Sequence, residues 1–320
     1  MLPEIERLRK FHTERRERKV KLTFEKSVHP MVWLDSSVWI DLAKIDKGEG
    51  VEPIRAAKLK RLRAAVRRAV RAEKLICPEW DQEIEFEGKR LEDEIRRIVV
   101  DLSCGARCKP HEAVKDQQMA LGLQAYLACA DEIHMPATVY FNGDPMSAVR
   151  EAKRSHYIVS VDMDKPQEWL KKATKGKLAA RESLETLRGQ CHGQGRTFDE
   201  QLELERKGES IVMFQVVRDH KRKVAAGQDD LWDYFGVQGF INRQELWRRL
   251  GGPGPEDAAL VSFMQSPYFW ELPIEDTSCR LLADLLVRPP LVKGGDRDDI
   301  QPSGDRNTGS DPCRRRQGYG

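Results

Sequence analysis

Asp35 is the residue of this 320-residue chain whose type and position first suggest chemistry. It follows an apolar run at residues 31–34, which has the length of a strand buried on both faces, and Ser36 and Ser37 come directly after it. A carboxylate at the carboxyl end of a first strand lies where open α/β sheets bind their ligands. The same side chain would also serve as a helix cap, because it can accept a hydrogen bond from a free backbone N–H at a helix start.

The neighbouring segments predict a strand–helix–strand unit that would position Asp35. After it, apolar residues recur at helical spacing through Ala43, and residues 53–75 form the most regular helical pattern of the chain. The apolar stripe of that helix comprises Leu59, Leu62, Val66, Ala69 and Val70. A short strand at 75–77, closed by Pro78, follows. This order predicts a βαβ unit and therefore a parallel sheet.

Carboxylates are dense immediately after the second predicted strand, between residues 79 and 87. Glu83 and Glu87 are four residues apart, so they would lie on one face of a helix. Acidic residues also favour the first turn of any helix, because they complement the helix dipole. The high density of acidic residues is therefore explained equally by a metal-binding site and by the start of a helix.

The nonapeptide Leu-Asp-Ser-Ser-Val-Trp-Ile-Asp-Leu at 34–42 resembles the opening signature of PIN-domain nucleases. The resemblance covers residues 31–90 and 278–301 and leaves the middle of the chain uncovered. It implies a PIN-like three-layer α/β fold with a short central parallel sheet and a large helical insertion. It also implies metal-dependent cleavage of single-stranded RNA.

The same resemblance implies a site built from Asp35, Glu83 and Asp299, with Asp296 as the alternate for the third acid. Glu85 and Glu87 remain close alternatives to Glu83. Ser36 or Ser37 would position a ligand or phosphate. Carboxylates from distant segments repel one another unless a cation lies among them, and hard oxygen ligands select Mg²⁺ or Mn²⁺. Such an ion would activate water and stabilise charge on a phosphodiester.

The chain divides into five predicted parts. Residues 1–30 are a basic helix or loose arm, 31–105 the first part of the PIN-like core, 106–275 a mostly helical insertion, and 276–300 a return to the core. Residues 301–320 lack the apolar residues of a buried strand, although the family continues there with a helix, a strand and a fourth acid. We expect either a truncated or frame-shifted C-terminus, which translation of the other two reading frames would reveal, or a natural disordered tail.

Positive charge is clustered along the chain, although the net charge is only +3. Arg61, Arg67 and Arg68 lie on the helix at 53–75 and would contact the nucleic-acid backbone. The alternative is an ordinary solvated helix face. The 33% of charged residues and the lack of a long apolar run predict a cytoplasmic protein that does not span a membrane.

Seven cysteines are scattered along the chain, and we expect them to be reduced in the cytoplasm. Cys104 and Cys108 with His111 have poor spacing for structural zinc. The sequence and the resemblance thus predict a Mg²⁺- or Mn²⁺-dependent endoribonuclease. A protein regulator is a possible second partner besides RNA. The alternative is a catalytically inactive PIN-like module that binds nucleic acid or protein.

Overall fold

The computed structural model describes residues 2–79, 86, 90–154, 167–228 and 231–288. Within these ranges the chain is mostly helical, with a small parallel sheet of two strands, which is compatible with an α/β class. The strands are β1 (Lys21–Phe24) and β2 (Glu132–Met135). The helices are α1 (Leu2–Arg16), α2 (Ser36–Asp46), α3 (Pro53–Arg71), α4 (Glu92–Ser103), α5 (His111–Ala128), α6 (Pro145–Arg154), α7 (Gln167–Gly193), α8 (Phe198–Ala225), α9 (Leu231–Arg249), α10 (Glu256–Met264), α11 (Pro267–Trp270) and α12 (Pro273–Val287).

The predicted parallel pairing after Pro30 is present as a single bridge between Met31 and Ile76. The N–H of Val32 donates to the Ile76 carbonyl at 2.8 Å, and the Ile76 N–H donates to the Pro30 carbonyl at 2.9 Å. Helices α2 and α3 lie between the two segments, as predicted, but neither of these described segments forms a strand, and the single bridge is their only backbone pairing. Parallel pairing also means that the carboxyl ends of both segments lie at one edge.

Two more single bridges extend this pairing. Glu79 pairs in parallel with Arg107, and Cys108 pairs in antiparallel fashion with Phe141. The residues that follow Phe141 therefore leave at the opposite edge from Asp35. Arg150 of α6 confirms this placement, since its Nε lies 2.9 Å from a carboxylate oxygen of Glu73, which precedes the second paired segment.

A first hydrophobic core covers this pairing. Helix α2 contributes Trp39, Leu42 and Ala43, and α4 packs against both α2 and α3. The predicted stripe of α3 is buried at Leu59, Val66 and Val70, whereas Leu62 is 38% exposed. Met146 and Val149 of α6 complete the same core, although they lie within the predicted insertion. The helix at 145–154 was not predicted from the sequence.

A second core lies between α5 and helices α9 to α11 and also takes up β2. The Tyr126 ring is fully buried there, and its centroid lies 5.4 Å from that of Tyr268 and 5.5 Å from that of Phe263. Phe240 is buried, as its aromatic character suggests. Helix α12 packs against α7 and α8, which places most of the segment expected to return to the first core beside the helical body.

The N-terminal segment is a docked helix rather than a loose arm. Arg15 is buried, and its guanidinium donates to the carbonyl of Phe11 and to the carbonyls of Tyr126 and Leu127 in the last turn of α5. Arg16 donates to the Ser262 hydroxyl of α10 at 3.0 Å. Since a guanidinium can satisfy several carbonyls at once, Arg15 attaches α1 to the second core.

Across the described ranges, every helix is too short or too polar to span a bilayer.

Substitution of Gly252 tests the packing of the second core. A Cβ atom at Gly252 would lie 2.2 Å from Cε2 of the fully buried Trp247 ring. We expect Gly252→Ala to lower the free energy of unfolding by about 1–3 kcal/mol, because the ring must shift in a close-packed site. Chemical denaturation measures the change.

Gly208→Ala is the matched control, since Gly208 lies inside α8 and an added Cβ meets nothing within 4 Å. It should raise stability by roughly 0.5–1 kcal/mol through the lower entropy of the unfolded chain. Equal effects of the two substitutions would contradict the close contact at Trp247.

Candidate functional site

Asp35 is the N-cap residue of α2, at the end of the segment that pairs with Ile76. Its Oδ2 accepts hydrogen bonds from the Ser37 N–H at 3.1 Å and from the Ser37 hydroxyl at 2.6 Å. Its backbone carbonyl accepts the N–H of Val38 at 2.9 Å. The Asp-Ser-Ser order thus forms a helix start that keeps the carboxylate exposed at the carboxyl edge of the pairing.

The pKa of Asp35 lies below its ordinary value. The main cause is the hydrogen bond from the Ser37 hydroxyl, followed by the backbone N–H groups of Ser37 and Ser36. Donors of this kind stabilise the charged form of a carboxyl group. Asp35 is therefore an exposed anion, which is the form in which a carboxylate binds a hard cation or orients water.

Trp39 fixes the turn that presents Asp35. Its indole N–H donates to the Leu34 carbonyl at 2.9 Å, and both side chains are buried in the first core. The donor is needed because the Leu34 carbonyl lies where the strand pairing has ended. One face of the turn is thus anchored in the core while the Asp35 carboxylate remains in solvent.

The exposed face leading to Asp35 carries two large side chains. Exposure alternates along residues 31–35, so that Met31 (53%) and Trp33 (48%) are exposed while Leu34 is buried. Alternate residues of an extended segment project from the same face. Met31, Trp33 and Asp35 therefore lie in one row on the surface.

Of the predicted metal ligands, only Asp35 lies within the described residues. Glu83, Asp296 and Asp299 lie outside them. The alternates Glu85 and Glu87 also lie outside. In the part of the chain that the structure describes, no group of three His, Cys, Asp or Glu side chains has the arrangement of a metal site.

Two other acidic residues at or near the single bridges were not proposed individually as site residues from the sequence. Glu79 is 9% exposed and lies 3.5 Å from the Arg107 guanidinium. Asp144 starts α6, accepts the Met146 N–H at 3.1 Å and the Ser147 hydroxyl at 3.0 Å, and has a lowered pKa from these bonds. Asp followed by Pro was a helix-start signal in the sequence. Asp144 lies at the edge opposite Asp35.

The arginines proposed to contact nucleic acid fall into two groups. Arg67 lies 3.0 Å from Asp101 of α4, which also pairs with Arg63 at 3.7 Å and Arg71 at 3.5 Å. This face of α3 therefore holds α4, and the pairing supports the structural explanation for Arg67. Arg61 and Arg68 are exposed, and neither pairs with a carboxylate of the described residues.

Removal of the Ser37 hydroxyl should raise the pKa of Asp35. We expect the carboxyl group of Ser37→Ala to titrate nearer its ordinary value, since the largest cause of the lowered pKa is lost. A group with a lowered pKa stabilises the fold at neutral pH and loses that effect as the pH falls through its folded-state pKa. NMR titration of the Asp35 carboxyl carbon measures the change.

Ser36→Ala serves as the control, because the smallest contribution comes from the Ser36 backbone N–H, which the substitution keeps. An unchanged Asp35 titration in Ser37→Ala would show that the hydroxyl does not control the carboxylate.

Comparison with known proteins adds no relative. Neither a family model, a curated protein nor a solved structure matches the chain.

Proposed function

We propose that the chain is a metal-dependent endoribonuclease of the PIN-like type that hydrolyses phosphodiester bonds in single-stranded RNA. The observation that carries the proposal is Asp35, an exposed and ionised carboxylate at the carboxyl end of a segment that forms a single parallel bridge with Ile76. Open α/β sheets bind their ligands at this edge. The PIN-like assignment of the fold is part of the proposal.

Asp35 fits a Mg²⁺ or Mn²⁺ ligand by its chemistry, because it is a hard oxygen donor that already carries its charge. Its Oδ2 is oriented by Ser37, so the carboxylate needs little ordering when it binds an ion. Glu83 and Asp299, with Asp296 as the alternate, would complete the site. The bound ion would supply activation of water and stabilisation of the developing phosphodiester charge.

Basic residues on the open face of α3 support a polyanionic substrate. Lys58, Lys60, Arg61 and Arg68 are exposed and form no ion pair with a carboxylate of the described residues. Exposed basic side chains such as these bind the phosphates of a nucleic-acid strand and orient the strand without recognising its base sequence. A protein regulator that covers Asp35 would be consistent with the exposure of the site.

The alternative function is a catalytically inactive PIN-like module that binds nucleic acid or protein. The observation that favours it is the role of Asp35 as a helix cap, since capping alone explains an Asp at this position. The nuclease and a nucleic-acid-binding module both predict binding of nucleic acid through α3. Only the nuclease requires the negative charge of Asp35.

Asp35→Asn separates these functions. Asn caps a helix about as well as Asp, so the substitution removes the charge and keeps the cap. We expect cleavage of single-stranded RNA in the presence of Mn²⁺ to fall by about 100-fold or more, which corresponds to about 3 kcal/mol of lost transition-state stabilisation. Gel analysis of a labelled RNA measures the rate.

Asp46→Asn is the matched control on the same helix, because Asp46 is exposed and pairs with Arg63 at 2.8 Å. It should cleave RNA at the rate of the unchanged chain. Equal cleavage by the Asp35→Asn chain would rule out the Asp35-dependent nuclease proposed here. RNA that is bound but left intact by every variant would establish the binding module.

A further inference from the structure

The row of Met31, Trp33 and Asp35 continues into a cleft at its Met31 end. The cleft has a volume of about 630 Å³ and includes Met31 and Ile76 among its walls. Its other walls come from residues 24–29, which follow β1, and from residues 137–145, which precede and start α6. One surface therefore runs from the cleft across Trp33 to Asp35, a distance of about 13 Å for four extended residues.

The walls of the cleft are mainly aromatic and apolar. Among the aromatic residues that line it, Phe24 is 51% exposed, Tyr140 and His29 are partly exposed, and Phe141 is buried. Exposed aromatic rings offer planar faces on which unpaired bases stack, and this interaction tolerates any base sequence. The indole of Trp33 supplies another such ring between the cleft and Asp35.

Charged side chains of both signs lie at the cleft. Lys26 is exposed in the cleft wall, and Lys19 and Lys21 are exposed just before and at the first residue of β1, outside the cleft lining. None of the three lysines forms an ion pair with a described carboxylate, so they would contact the phosphates of a bound strand. The cleft wall also carries two carboxylates: Glu25 accepts the Ala137 N–H at 2.7 Å, and Asp144 accepts hydrogen bonds from the start of α6.

We propose that this surface binds unpaired bases of a single-stranded nucleic acid, with one base stacked on Trp33 and a neighbouring base in the cleft beside Phe24 and Met31. The strand would then pass the Asp35 carboxylate. The inference rests on the proposed function for the role of Asp35, and it adds a base-binding surface that selects single strands over duplexes. Bases in a duplex are stacked on one another and cannot reach the rings.

Binding measured without cleavage tests the proposal. The Asp35→Asn chain in the presence of a chelator is titrated into a fluorescein-labelled oligoribonucleotide of mixed sequence, and anisotropy gives the Kd. Trp33→Ala in that background should weaken binding about tenfold, within the range that one base–aromatic stack contributes. Trp33→Phe should restore most of the affinity, and the same oligonucleotide in a duplex should bind weakly to every variant.

Phe214→Ala is the control for an exposed aromatic ring elsewhere, because Phe214 is 41% exposed on α8, in the helical body. It should leave the Kd unchanged. Abasic sugars placed one at a time in the RNA provide a test that leaves the protein fold untouched. Removal of the base that stacks on Trp33 should weaken binding of the RNA to the chain that keeps Trp33. The same abasic RNA should bind the Trp33→Ala chain as well as the intact RNA does.

The outcomes separate this inference from the nuclease. Equal affinity for single and double strands, or equal effects of Trp33→Ala and Phe214→Ala, would overturn the base-binding surface even if Asp35 is needed for cleavage. Conversely, Trp33-dependent binding without Asp35-dependent cleavage would establish the surface and reject the nuclease. Absence of oligonucleotide binding would overturn the base-binding surface directly.

Discussion

The parallel bridge between Met31 and Ile76 is the constraint on which the arrangement of the site depends. Two backbone hydrogen bonds, at 2.8 and 2.9 Å, join segments that lie more than forty residues apart in the sequence. Because the pairing is parallel, it determines the edge at which Asp35 ends the first segment. It also determines which face carries Met31 and Trp33.

The hydrogen bonds around Asp35 are local, whereas their support comes from the core. Ser37 sets the charge and orientation of the carboxylate, and Trp39 connects the preceding carbonyl to buried side chains of α2. The polar half of the turn can therefore face solvent without becoming disordered. This division of roles is expected where a reactive group must be rigid and accessible at once.

The sequence predicted best those features that depend on neighbours along the chain. The cap at Asp35 and the burial of Leu59, Val66 and Val70 follow from short spacing rules, and both are present. Other features depend on contacts between residues far apart in the sequence, which local sequence patterns do not identify. Arg67 was predicted to contact nucleic acid, because the sequence does not show that its ion-pair partner is Asp101 on another helix. Strand β2 was missed because its pairing with β1 crosses more than a hundred residues.

The roles of Glu83, Asp296 and Asp299 remain predictions, since they depend on approach between distant segments outside the described residues. Asp144 illustrates the converse case. Its helix-start pattern resembles that of Asp35, yet the antiparallel bridge at Phe141 carries it to the other edge. A motif alone predicts a local turn, and only the direction of the strand decides which residues share a site.

The attachment of α1 has a consequence for the order of events during synthesis. Arg15 and Arg16 are made early, but their partners in α5 and α10 emerge from the ribosome more than one hundred and two hundred residues later. The partners of Arg15 precede residue 149, where the first core becomes complete, whereas Ser262 follows it by more than one hundred residues. A nascent chain stalled before Ser262 should therefore hold α1 through the Arg15 contacts without the contact to α10, and leave the helix more accessible to proteases than in the full chain.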